Sequence, residues 1–443
     1  MEFLNDLLAP WVQPTAAWPT MQWALLLAVA AATGHVLQRV SGLPKLVGYV
    51  LVGTAAGLLG LGETTWPLSG NLLFVIELGL AVALFEAGSR VPLRWFRHNP
   101  MVLVQSLAES LLTYAAVYAV LRYAEVASDL AHPLALLSVA ASPAVLLRVA
   151  SDLRASGPVT DRAITLATLN TLFVLALGSA MSRIWQQPEP GLFAPIQESL
   201  RPVLLVLGLS VGAGAILAIG LRQALKFMHP TSENTSVLLL ALIAACAALA
   251  SHFGGSAPLA ALLGGMMLKQ LSPRPWSWPR QLGTAGSMLT MLMFVLVSTV
   301  AAQVSWSLSI LGLVALVVGT RALTKVVAVG AASWGSGASW RQALWTGCAL
   351  WPMSATALLI ASQFAVYAPQ IATDLTALAL PAILSMEVLG ALMATFALRR
   401  AREAREAPAA SQPRGSAPAV SGVSGLSAAP ATPVPVTPNG GSA

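Results

Sequence analysis

The chain has 443 residues, of which 56% are hydrophobic and only 9% charged, and its formal net charge is +7. A soluble domain of this length tolerates so few charges poorly, which argues against soluble enzymes and soluble binding modules. Apolar stretches recur from about residue 20 to residue 398, so the chain reads as a polytopic membrane protein rather than a globular domain on one anchor.

In chain order, the opening MEFLNDLLAP lacks a basic region followed by a small-residue cleavage site, and is not read as a signal peptide. Residues 1–19 are expected as an external segment. About thirteen spans follow, at roughly 20–38, 46–61, 72–89, 101–121, 131–150, 163–182, 202–220, 236–251, 256–268, 284–303, 306–332, 342–364 and 375–398. With the N-terminus outside, all Lys and Arg residues except Arg122, Arg183, Arg201, Arg321 and Lys325 fall in cytoplasmic segments. The positive-inside rule therefore sets the C-terminus in the cytoplasm, with the chain integral to the inner (plasma) membrane. It also accounts for the basic balance without a nucleic-acid partner. From residue 401 to 443 the composition turns to Ala, Pro, Ser and Gly, as expected of a disordered tail.

Two spans carry a polar break at matching places. LLSVAASPAVLLRVAS centres on Ser142 and Pro143, and GCALWPMSATALLIAS centres on Pro352 and Ser354. Non-helical backbone at membrane depth survives only when buried in protein or lining a watery cavity. A pair of interrupted spans in two half-repeats points to a transporter's substrate site. Residues 24–57 and 237–265 also share a long span, a Gly-containing turn and a shorter second span. Six spans before the seventh and six after it predict two inverted six-helix repeats. The fold class expected is thus all-α, a transmembrane helical bundle with two broken crossing helices, its membrane domain covering residues 20–400. Gly53-x-x-x-Gly57 and Gly208-x-x-x-Gly212 are compatible with close helix packing and equally with coincidence in a chain of 35 glycines.

Several motifs together resemble the monovalent cation:proton antiporter superfamily, in particular its Kef-type sodium/hydrogen exchanger branch. Gly42-Leu43-Pro44 through Gly48-Tyr49 and Gly53 resembles a signature after the first span. Glu77-Leu78-Gly79-Leu80 with Leu84-Phe85-Glu86-Ala87-Gly88 is similar to the third span, and Ser142-Pro143-Ala144-Val145 to the break of the fifth. Lys325, then Gly347-x-x-Leu350-x-Pro352, has the spacing of the eleventh and twelfth spans, and Met386 to Gly390 is similar to the closing span. The resemblance implies exchange of a monovalent cation (Na⁺ or K⁺) against a proton. It also implies a sixth-span carboxylate that binds one or the other. Here that segment reads Asn170-Thr171, and no carboxylate follows Pro352. Cation and proton compete only at a group whose charge changes on protonation, which neither an amide nor a hydroxyl provides near neutral pH.

Intramembrane ionisable residues therefore carry the question. Lys325 and Arg321 lie one helical turn apart, and Arg321 needs a partner, for which Glu77, Glu86, Glu109 and Glu387 are candidates. Lys325 is expected to approach Asn170 and Thr171. Glu109 and Glu387 are each read as a relocated proton carrier or an ion-pair partner, and Glu86 as the i, i+4 partner of Arg90. Met288, Met291 and Met293 read as core filler; Trp276, Trp278, Trp334 and Trp340 as an interfacial belt; Cys246 and Cys348 as buried thiols. No histidine spacing suits a metal, and no nucleotide loop or catalytic triad stands out, so neither a cofactor nor an enzyme is expected. The partners expected are the cation, the proton, the lipid bilayer and a second copy of the chain in a homodimer. Transport of an anion or neutral solute on the same scaffold, or a non-transporting membrane partner or sensor, are the alternative functions.

Overall fold

The computed structural model describes residues 17–61, 66–91, 93–184, 196–228, 233–272, 280–304, 307–353 and 355–404. Most of the expected external segment, nearly all of the tail, Trp276, Trp278 and Ser354 lie outside the described residues. Among those described, every regular element is helical. In the first half these are α1 (Ala17–Ser41), α2 (Lys45–Leu58), α3 (Gly70–Arg90), the short α4 (Leu93–His98), α5 (Pro100–Tyr123), α6 (Ser128–Val139), α7 (Pro143–Asp152) and α8 (Pro158–Ile184). In the second half they are α9 (Ile196–Phe227), α10 (Glu233–Phe253), α11 (Ala257–Leu271), α12 (Arg280–Ala302), α13 (Leu308–Ala331), α14 (Trp340–Ala349), α15 (Ala355–Tyr367) and α16 (Pro369–Arg400). Nine segments among the described residues are long and apolar enough to cross a membrane, α6 and α7 counting together as one. Shorter apolar helices occupy Lys45–Leu58, Ala257–Leu271, Gly286–Ala302 and Ala355–Tyr367.

Local chemistry sets the helix starts. Proline opens α5, α7 and α16, where its missing N–H costs no helical hydrogen bond. Ser339 and Gln342 form a reciprocal capping box at the start of α14. Both expected interruptions are real. Helix α6 stops at Val139 and α7 restarts at Pro143, with Ser142 accepting a hydrogen bond from the Val145 N–H at 3.2 Å. Helix α14 stops at Ala349 and α15 begins at Ala355. The two breaks meet: the Ser142 N–H donates to the Pro352 carbonyl at 3.0 Å.

Burial divides the helices. The α6–α7 span has 94% of its most apolar window buried, against 11% for α1, so the broken span forms the centre and α1 lies at the periphery. Helix α2 lies flat on α12, because a side chain at Gly53 or Gly57 would sit 2.4 Å from the Val295 or Thr299 carbonyl oxygen. At Gly208 and Gly212 nothing approaches within 4 Å, so only the first glycine pair marks close packing. Met293 is buried as core, whereas Met288 is 62% exposed on the outer surface, which corrects its reading as core filler. Trp334 and Trp340 are strongly exposed at span ends, as an interfacial belt requires.

One contact ties the end of α16 to the start of α8. The Glu403 carboxylate accepts hydrogen bonds from the N–H groups of Val159 and Thr160, both at 2.8 Å, and from the Thr160 hydroxyl at 2.7 Å. These donors belong to the first turn of α8, which has no intrahelical acceptors for them, and the negative charge suits the helix N-terminus. Glu403→Ala should lower the unfolding temperature of purified protein in detergent by the equivalent of about 1–2 kcal/mol, with Glu403→Gln losing less. At Gly390 a Cβ would fall 2.3 Å from the Pro352 Cα. Gly390→Val should therefore force α16 off the second break and cost about 1–3 kcal/mol in the same measurement.

Candidate functional site

Helix α5 is built inside out. Its buried face carries Gln105, Ser106, Glu109, Ser110 and Thr113, while Leu107, Leu111 and Leu112 are exposed. Those polar residues recur at the spacing of one helical stripe. A polar inner face and an apolar outer face are what a helix between protein and lipid requires. Helix α13 presents the opposite charge from a narrow buried stripe of Val314, Val317, Arg321, Lys325 and Ala328.

Glu109 and Lys325 form a salt bridge, Nζ to Oε1 at 2.5 Å, with both side chains 0% exposed. The pair is further satisfied on all sides. Asn170 Nδ2 donates to Glu109 Oε2 at 2.6 Å, the Thr113 hydroxyl donates to Oε1 at 3.1 Å, and Lys325 also donates to the Val139 carbonyl at 3.1 Å. The amide of Asn170 is itself fixed, its Oδ1 accepting from the hydroxyls of Ser106 and Ser110 at 3.2 and 3.1 Å. These contacts set the orientation of the Asn170 amide by its hydrogen bonds. A buried charge with this many partners is stable where an isolated one is not.

Two expectations change here. Lys325 approaches Asn170 as expected but bonds neither it nor Thr171 directly, because Glu109 enters between it and Asn170. The Thr171 hydroxyl turns instead to the first break, donating to the Ala141 carbonyl at 2.8 Å. Arg321 takes none of the four carboxylates proposed for it. Its Nε donates to the Ser138 carbonyl at 2.9 Å, Nη2 to Ala140 at 2.6 Å, and Nη1 to Trp351 at 2.5 Å. A broken helix leaves carbonyls without intrahelical N–H partners. The planar guanidinium, with five donors in a fixed fork, can reach several of them at once. Arg321 thus staples both breaks together, and Met386 lies 3.1 Å from its Nη1.

The remaining candidates separate from this centre. Glu86 pairs with Arg90 at 3.0 Å as the helix spacing predicts, and Glu77 accepts a long 3.5 Å hydrogen bond from Ser251. Glu387 is 2% exposed, and neither of its carboxylate oxygens has a hydrogen-bond partner. Ser142, Pro143 and Pro352 belong to the breaks. Sequence reasoning missed Ser106, Ser110 and Thr113, whose signal was the polar stripe that they share with Glu109. It also missed the carbonyls of Ser138, Val139 and Ala140, which no side-chain pattern encodes.

The fold has counterparts among solved structures. The structure is similar to that of the sodium proton antiporter MjNhaP1 from Methanocaldococcus jannaschii at pH 8, with a TM-score of 0.62 at 15% identity, covering 86% of this chain and 95% of that one. An electron-microscopy structure of the same antiporter gives a TM-score of 0.69 at 14% identity, covering 89% and 100%. No curated protein sequence matches the chain. The sequence pattern of the family described as "Sodium/hydrogen exchanger, transmembrane" matches residues 24–399. With that match spanning most of its length, the chain belongs to the transmembrane sodium/hydrogen exchanger family.

Proposed function

We infer that this protein exchanges a monovalent cation, Na⁺ or K⁺, for a proton across the inner membrane, with Glu109 as the exchanging carboxylate. The observation that carries this reading is the buried Glu109–Lys325 pair beside Asn170. The resemblance puts a carboxylate at position 171, where this chain has threonine. In space, the carboxylate next to Asn170 and Lys325 comes from α5 instead. Glu109 balances one unit of positive charge in a site with no solvent to share it. Either a proton held by the Glu109–Lys325 pair or an incoming cation can supply that unit, but both together leave a buried excess charge that is prohibitive. Mutual exclusion of this kind is the electrostatic core of antiport, and it conserves charge at the site when one cation replaces one proton.

Arg321 and Lys325 are both engaged, which weighs against an anion site built on free cations. The paired breaks favour a centre that opens alternately to the two sides, since few helical hydrogen bonds must break for the halves to move. The same reading includes two inverted six-helix repeats around these breaks, an external N-terminus, a cytoplasmic C-terminus and a homodimeric assembly.

In everted vesicles, addition of Na⁺ or K⁺ should dissipate a pre-formed proton gradient. Glu109→Gln should reduce this to background, while Thr171→Asp leaves it within a few-fold of wild type. Silence of wild type with all monovalent cations, or full activity of Glu109→Gln, contradicts the reading. Because cation and proton compete, each unit fall in pH should raise the apparent KM for the cation, up to about tenfold in the limit of one-for-one competition. A KM independent of pH would show that the two ions do not share a site.

A further inference from the structure

Among the described residues, Glu387 is the one fully buried carboxyl that the exchange described above does not use. It lies on α16, sealed from solvent, and both of its oxygens lack a hydrogen-bond partner. Its place relative to the second break follows from its neighbours. Met386 touches the Arg321 guanidinium that holds the Trp351 carbonyl, and Gly390, one turn further along, packs directly on Pro352. Glu387 therefore lies about one helical turn from the contact between α16 and the Leu350–Met353 break. Trp351 Nε1, on that break, also has no hydrogen-bond partner.

The charged groups on the elements packed against α16 are otherwise placed. Lys325 is paired with Glu109 and Arg321 is bound to break carbonyls. Arg148 of α7 donates to Ser287 and Thr290, His132 of α6 bonds the Tyr114 hydroxyl, and Lys45, Asp129, Asp152 and Arg341 lie at the ends of α2, α6, α7 and α14. No ion pair reaches Glu387 from any of them. An ionised carboxylate with neither partner nor water is not stable in such surroundings, and the group neutralises instead. A buried carboxyl without a structural bond to make, beside a broken helix of a transporter, calls for an explanation other than packing.

We propose that Glu387 is a second proton-binding site of this exchanger, carrying a proton in the occluded conformation and releasing it when movement of the second break admits water. The step is a simple ionisation: the carboxyl O–H bond breaks, the electron pair stays on oxygen, and the proton leaves to water. The consequence rests on the exchange reading above. Glu109 accounts for one proton per monovalent cation, an electroneutral cycle, and Glu387 adds a second proton that makes the cycle electrogenic.

The test is the number of protons released per protein when purified protein is saturated with Na⁺ or K⁺ in weakly buffered detergent solution containing a pH indicator. Wild type should release one proton more than Glu387→Gln, which keeps the size and neutral polarity of the protonated group. Unfolding temperatures of the two proteins establish that both are folded. If Glu387→Gln does not fold, Glu387→Met replaces it, and the same deficit is expected. Equal release by wild type and the folded variant, including none by either, overturns the proposal. Glu109→Gln distinguishes the two claims. If its release is unchanged while that of Glu387→Gln falls, the role of Glu109 fails and that of Glu387 stands; the converse result leaves Glu109 in place and removes Glu387.

Discussion

The rest of the site depends on a buried pair of opposite charges, Glu109 on α5 and Lys325 on α13, in a span where neither is tolerable alone. Desolvating two such ions costs several kcal/mol each, which their mutual attraction offsets only with good geometry and extra hydrogen bonds. That requirement explains the neighbourhood. Asn170, Thr113 and the Val139 carbonyl complete the coordination of the pair. Ser106 and Ser110 fix the Asn170 amide in turn. It also explains why α5 turns its polar face inward, and why the buried stripe of α13 is so narrow.

A second constraint comes from the backbone. Two helices interrupted at membrane depth leave carbonyl and N–H groups that lipid cannot satisfy. The protein satisfies several by joining the breaks to each other, through the Ser142 N–H and the Pro352 carbonyl, and by placing Arg321 across both. Arginine suits this place better than lysine because its fork of donors reaches separate carbonyls in a fixed geometry. The first break also supplies the Val139 carbonyl to Lys325 and the Ala141 carbonyl to Thr171. The breaks and the charged pair thereby belong to one connected hydrogen-bond network.

Much of this was legible in the sequence. Ser-Pro and Trp-Pro inside apolar runs marked both interruptions, because proline removes a donor where no water can replace it. The buried charges were visible as single ionisable residues amid apolar neighbours. Their pairing was not. Glu109 and Lys325 are 216 residues apart, and one sequence offers no signal that α5 packs on α13. The polar stripe of α5 was present in QSLAESLLT, yet short hydroxyl residues in a span read as neutral filler unless their helical spacing is followed. The Arg321 contacts were hidden for a different reason: its acceptors are backbone atoms, present at every residue, and only the broken geometry makes them available. The Gly53 and Gly57 pair needed the neighbouring helix to be separated from Gly208 and Gly212, where the same spacing meets empty space.

The account stands on the mutual dependence of Glu109 and Lys325, and a double-mutant cycle of unfolding temperature in detergent tests it most directly. The proteins compared are wild type, Glu109→Gln, Lys325→Met and the double variant. Each single change should leave one member of the pair uncompensated, a loss of about 3–5 kcal/mol, while the double variant recovers most of that stability because neither charge of the pair remains. Additive losses in the double variant would contradict the account, since they would mean that the two side chains contribute independently.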